Sequence, residues 1–142
     1  MNSYVLIEGY AALFGAADLA RDVIKAGAFR DSLIRSRGDV PMFVHHEPRL
    51  HAGRWTETRE DKRGLYVRGE IDPGLPGAAQ ARRLIVRGGD GLSIGFITRA
   101  AEHRAGGGRL LIEIDLLEIS IVEQPMQPLA RLNLARALAR AA

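Results

Sequence analysis

Apolar and polar positions along this chain alternate more often than they fall into helical stripes. Residues 4–7 are apolar and β-branched enough for a strand, which runs on through Gly9, Tyr10 and Ala11. Residues 15–22 read as a loop. Phe29, Leu33 and Ile34 predict a short helix over residues 29–37, closed by Gly38. The apolar run over residues 40–46, opened by Pro41 and ended by Glu47 and Pro48, reads as a strand. Residues 54–58 and 65–71 flank a charged turn at 60–64 and predict a hairpin. A second helix is expected over residues 75–87, with Pro76 in its first turn, Leu84 and Ile85 inward, and Gly88 and Gly89 past its end. Residues 92–100 and 109–122 read as strands joined by a glycine turn at 106–108. The second exceeds the usual strand length, so it should bend around a barrel or break near Asp115. The Leu/Ala/Arg-rich tail, residues 129–142, reads as a short helix.

Six or seven strands with few helices predict a mainly β protein, a closed or nearly closed β-barrel with helices packed outside. The sequence contains no internal repeat and no linker long enough to divide 142 residues. We therefore expect one domain over residues 1–128, with residues 129–142 as its helical tail. The absence of cysteine excludes a disulfide framework and a thiolate site, and suits a reducing compartment. No apolar run approaches membrane-spanning length, and residues 1–14 carry Glu8 without a basic start, unlike a signal peptide. The net charge of +3 is modest, the arginines are spread along the chain, and aromatics for base stacking are scarce. That argues against a nucleic-acid partner.

Three polar side chains interrupt strands that would otherwise be apolar. Ser93 lies in Gly91-Leu92-Ser93-Ile94-Gly95-Phe96, a G-x-S-x-G pattern. A nucleophile elbow needs a strand before the serine and a helix after it. Here an amphipathic run over residues 78–87 precedes it, so this is not a hydrolase elbow. His46 ends the run Val40 to Val44 and shares an alternation face with Met42 and Val44, while His45 points to the other face and competes as the base. Glu118 shares a face with Ile112, Ile114, Leu116 and Val122, opposite Glu113 and Asp115. If that face is internal, Glu118 is a buried carboxylate and needs a partner. An imidazole N–H is a suitable one, and a carboxylate so held orients the histidine of a triad. A serine hydroxyl needs a neighbouring base to act as a nucleophile. Each residue also has a plainer reading: a small residue beside glycine, a satisfied core histidine, a paired core carboxylate.

Five blocks in order then resemble one family. They are Asp22-Val23-Ile24-Lys25-Ala26-Gly27-Ala28-Phe29; Val40 to Pro48 with Gly53-Arg54-Trp55; Gly64-Leu65-Tyr66-Val67; Gly91 to Phe96; and Asp115 to Val122 followed by Pro125. The chain resembles the HK97-type phage prohead protease family, capsid-maturation serine peptidases related in fold to herpesvirus assemblin. The resemblance implies a herpesvirus-protease-like fold with Ser93 as nucleophile, His46 (before the acidic-Pro pair) as base and Glu118 as third member. Two departures are the extra His45 and Met126-Gln127-Pro128, where a small residue, Asn and Pro are expected. The resemblance further implies a serine endopeptidase that cuts scaffold or the N-terminal segment of the major capsid protein, and itself, inside an assembling procapsid in the bacterial cytoplasm. Those polypeptides would be its partners, with a homodimer expected and no cofactor. The oxyanion hole is expected near the Gly95 backbone or at Arg99. Competing readings are a catalytically silent barrel that assists assembly, and a metal site from His45, His46, His51 and Glu47.

Overall fold

The structure, a computed structural model, describes residues 3–133. The elements are β1 (Val5–Leu13), β2 (Val23–Ile24), α1 (Arg30–Ser36), β3 (Pro41–Val44), β4 (Glu47–Glu60), β5 (Gly64–Ile71), α2 (Ala78–Val86), β6 (Gly91–His103) and β7 (Arg109–Val122). The main sheet runs β1-β5-β4-β3-β7-β6, and two-residue β2 adds alongside the start of β7. Pairing is antiparallel except where β3 and β2 lie parallel to β7. The architecture is a mainly β, strongly curled half-barrel, in line with the expected barrel-type fold.

The curl has a local cause. β7 does not break near Asp115; instead its pairing with β6 shifts register three times. Leu117 is the extra residue between the pairs Gly95–Glu118 and Phe96–Leu116, Arg99 is extra on β6, and Ile112 is extra on β7. Each bulge adds twist and bends its strand. The Ile112 bulge also changes the alternation, so in the first half of β7 the buried residues are Leu111, Ile114 and Leu116 rather than Ile112. On β5 the alternation is regular, with Leu65, Val67 and Ile71 buried. These meet Ile7 of β1, Met42 and Val44 of β3, Ile119 and Ile121 of β7, and Phe29 at the start of α1 in one core. A fully buried side chain of this size contributes about 1.5–3 kcal/mol.

The first helix ends as expected, with Arg37 and Gly38 in the left-handed region (φ 56° and 72°). The second is shorter than expected, because residues 75–77 form a turn before Ala78. β4 begins at Glu47, so Pro48 does not end a strand but lies at the start of one, where a missing donor is tolerated. The tail differs most. Residues 129–133 are not helical; Arg131 bridges to Gly91 and Leu132 to Gly9. The remainder of the expected tail helix lies outside the described residues. Ala130 to Asn133 form a seam between the outer strands, bonding Leu92 N–H to Ala130 O (2.9 Å) and Asn133 N–H to Glu8 O (2.9 Å). Gly9 permits the approach: a Cβ there would stand 2.9 Å from Leu132 Cα.

Candidate functional site

β3 and β4 are joined by two residues, His45 and His46, with Val44 paired to Glu47. Both have positive φ (51° and 60°), as a type I′ hairpin turn requires. Such turns favour Asn or Gly, and holding a larger residue there costs on the order of 1 kcal/mol or more. The turn is tied to β7 by His45 N–H to Ile121 O and by His46 N–H to Ser120 Oγ, both 3.0 Å. His46 is therefore not a strand residue facing inward with Met42 and Val44. Its side chain leaves a tight turn and is 43% exposed.

From that turn the His46 Nδ1–H donates to Glu118 Oε2. Glu118 is buried, as its alternation phase predicts, and its other oxygen accepts from Ser120 Oγ at 2.6 Å. The Glu118 bond raises the His46 pKa above the ordinary value of 6.5, with burial pulling the other way. His45 is exposed, so the geometry selects His46 as the partner of the carboxylate.

Ser93 sits one strand over. β3, β7 and β6 are adjacent, and Ser120 on β7 stands opposite both Phe43 on β3 and Ser93 on β6. Ser93 is 6% exposed and shares with His46 the wall of a cavity of about 120 Å³, with Ala11, Ile24, Ile94 and Met126 around it. No hydrogen bond joins Ser93 to His46 in this structure. Catalytic hydrogen bonds are often open without substrate and tighten in the complex. A larger groove along α2, beside Ala78, Arg82 and Val86, carries no nucleophile.

The second glycine of the G-x-S-x-G stretch has a steric role. A Cβ on Gly95 would stand 2.9 Å from Glu118 Cδ and 3.0 Å from Cγ, and closer still to Oε2. Gly95 thus leaves room for the carboxylate rather than forming an elbow. Arg99 does not reach the site: it pairs with Asp115, which also pairs with Arg35. At about 3.3 Å per residue it lies roughly 20 Å along β6 from Ser93. The histidines do not converge on a metal. His51 Nε2 faces Gly53 O at 2.9 Å, and among the described residues no three His, Cys, Asp or Glu side chains form a metal-binding group.

Two polar residues escape the sequence reading. Ser120 is fully buried, and its signal is its place two residues after Glu118 on the same face of an apolar strand. Gln127, in the stretch that departs from the family pattern, accepts from Leu13 N–H (2.6 Å) and donates to the carbonyls of Leu13 (2.9 Å) and Ala16 (3.1 Å). It clamps the end of β1 beside the cavity.

Comparison with known proteins shows the family and the fold. The family model described as caudovirus prohead serine protease matches residues 1–141. The prohead protease of Enterobacteria phage HK97 is 36% identical over 124 residues, covering 84% of this chain and 55% of that protein. The chain thus spans about half the length of that relative. In fold, it is similar to the bacteriophage T4 capsid assembly protease, with a TM-score of 0.65 at 14% identity over 82% of this chain and 80% of the other. A Kaposi's sarcoma-associated herpesvirus protease solved with a dimer disruptor gives 0.53 at 12% identity, over 92% and 75%.

Proposed function

Because this chain belongs to the caudovirus prohead serine protease family, we propose that it is a serine endopeptidase of capsid maturation. Its substrates would be scaffold, the N-terminal segment of the major capsid protein, and the protease itself. It would act inside the assembling procapsid, in the cytoplasm of the bacterial host, as a homodimer. The observation that carries this reading is that His46, paired with Glu118, lines the same cavity as Ser93.

In the proposed reaction, His46 Nε2 takes the proton of Ser93 Oγ as the oxygen attacks the scissile carbonyl. The proton then passes to the leaving amine, and the acyl group remains on Ser93. Water attacks that ester by the same route, its proton going to His46 and then to Ser93 Oγ. Glu118 accepts the Nδ1 hydrogen bond throughout, fixes the tautomer that leaves Nε2 free, and stabilises the imidazolium.

The test is the intact mass of a major capsid protein from a phage carrying this gene, co-expressed with wild type or with Ser93→Ala. Trimming by wild type alone, with the variant slowed roughly 10⁴–10⁶-fold, supports the reading. Full-length capsid protein in both, with shells still assembling, overturns it in favour of a silent assembly factor.

A further inference from the structure

We propose that Ser120 is a positioning residue of this site, one that holds the Glu118 carboxylate and the His46 backbone in a single register through one hydroxyl. The inference rests on the reading of His46, Ser93 and Glu118 given above and adds a fourth side chain to it.

Ser120 has no exposed surface, and its neighbours in sequence, Ile119 and Ile121, are equally buried. A hydroxyl there must be bonded, and it has one proton to give and lone pairs to receive. The proton goes to Glu118 Oε1 at 2.6 Å, and a lone pair receives the His46 N–H at 3.0 Å. Both oxygens of Glu118 are then engaged, Oε1 by Ser120 and Oε2 by His46. A carboxylate held at both ends has one orientation; with Oε1 released it can swing about its last torsion.

The second bond acts on the turn. His46 is held at φ 60°, in a region a side chain of its size seldom adopts. One of the two bonds tying that turn to β7 is the bond to Ser120. The same atom therefore restrains the backbone that carries the imidazole and the carboxylate that orients it. Its position suits the role, since Ser120 stands between Phe43, at the end of the strand leading to His46, and Ser93. Glu118 is the charged group acting on His46. Asp18 also lines the cavity, and its Oδ1 accepts the N–H groups of Ala20 and Asp22.

The experiment is a titration of the His46 ring by NMR in labelled wild type and Ser120→Ala. It needs no substrate, so it decides the role of Ser120 whether or not cleavage is found. A loosened pair brings the His46 pKa down toward its ordinary value and speeds exchange of the Nδ1 proton. Ser120→Cys, close in size but a weak donor and acceptor, should shift the titration the same way, and either variant suffices provided it folds. With a cleavable capsid substrate, Ser120→Ala should lower kcat roughly tenfold with KM unchanged. That loss should shrink in a Glu118→Ala background, to the part that comes from the His46 N–H bond alone. A His46 titration that is unchanged or moves upward in the folded variants overturns the proposal. Absence of cleavage by wild type would count against the peptidase reading alone.

Discussion

Replacing Gly95 with alanine is the sharpest test of how the G-x-S-x-G stretch contributes. Gly95 has ordinary strand geometry rather than a positive φ, so alanine suits its backbone. The obstacle is Glu118. Its Cδ lies 2.9 Å from where the new Cβ would stand, and ordinary contact begins at 3.4 Å, so the carboxyl group must retreat by at least the difference. Half an ångström is about the tolerance within which a catalytic group must be held. A charge-assisted hydrogen bond is worth about 1.5–3 kcal/mol, and the 43% exposure of His46 argues for the lower end. A loss of about 1.5–2 kcal/mol corresponds to a roughly 10- to 30-fold fall in kcat. Cleavage of a capsid-derived substrate by Gly95→Ala, alone and combined with Glu118→Ala, measures it. In the double variant the alanine at 95 should add nothing further, because the group it displaces is gone. Wild-type kcat in folded Gly95→Ala, or a loss of the same size without Glu118, would refute the reasoning.

Since Glu118 raises the His46 pKa and only neutral imidazole can act as base, kcat/KM should rise with pH through a midpoint above 6.5. Glu118→Gln should move that midpoint down, as a pH–rate profile would reveal. The same shift enters stability with a definite sign: a raised folded pKa contributes fully below about 6.5, and the contribution is lost as pH rises through the folded value. The melting temperature of wild type should therefore exceed that of Glu118→Gln most in mild acid. Gln127→Ala leaves the buried Leu13 N–H without its acceptor, a cost of about 2–3 kcal/mol or a Tm lower by roughly 5–10 °C, read by calorimetry. Arg99→Ala should change kcat/KM by less than about twofold, since its partner is Asp115.

The strands and helices were legible because period-two and helical spacing are set by burial on one face. Glu118 was legible for the same reason, a carboxylate in phase with Ile114 and Leu116. His46 follows Met42 and Val44 in alternation phase, yet it is not in a strand: two histidines occupy a left-handed turn that normally advertises itself with Asn or Gly, so nothing local marks it. A bulge leaves no trace in spacing, so strict alternation puts Ile112 in phase with Ile114, where the structure does not. Helical propensity in Leu129 to Asn133 was overruled by pairing with β1 and β6, strands far removed from it in sequence. Ser120 stayed hidden because a small hydroxyl in a strand is unremarkable until its two partners are known.

The seam has a dynamic consequence. Among the described residues, four amides close it, those of Tyr10, Leu92, Leu132 and Asn133. The partnership of β6 with β7 extends over twelve residue pairs. Protein structures breathe in cooperative units whose opening free energy follows the contacts that close them. In hydrogen exchange these four amides should therefore trade their protons together, ahead of the β6–β7 ladder. Leu92 immediately precedes Ser93, so the serine sits one residue from the place where the half-barrel comes apart first. Among the described residues, its strand is clasped by these backbone bonds and by the Arg131–Asp90 ion pair, all made with the chain that follows Pro128.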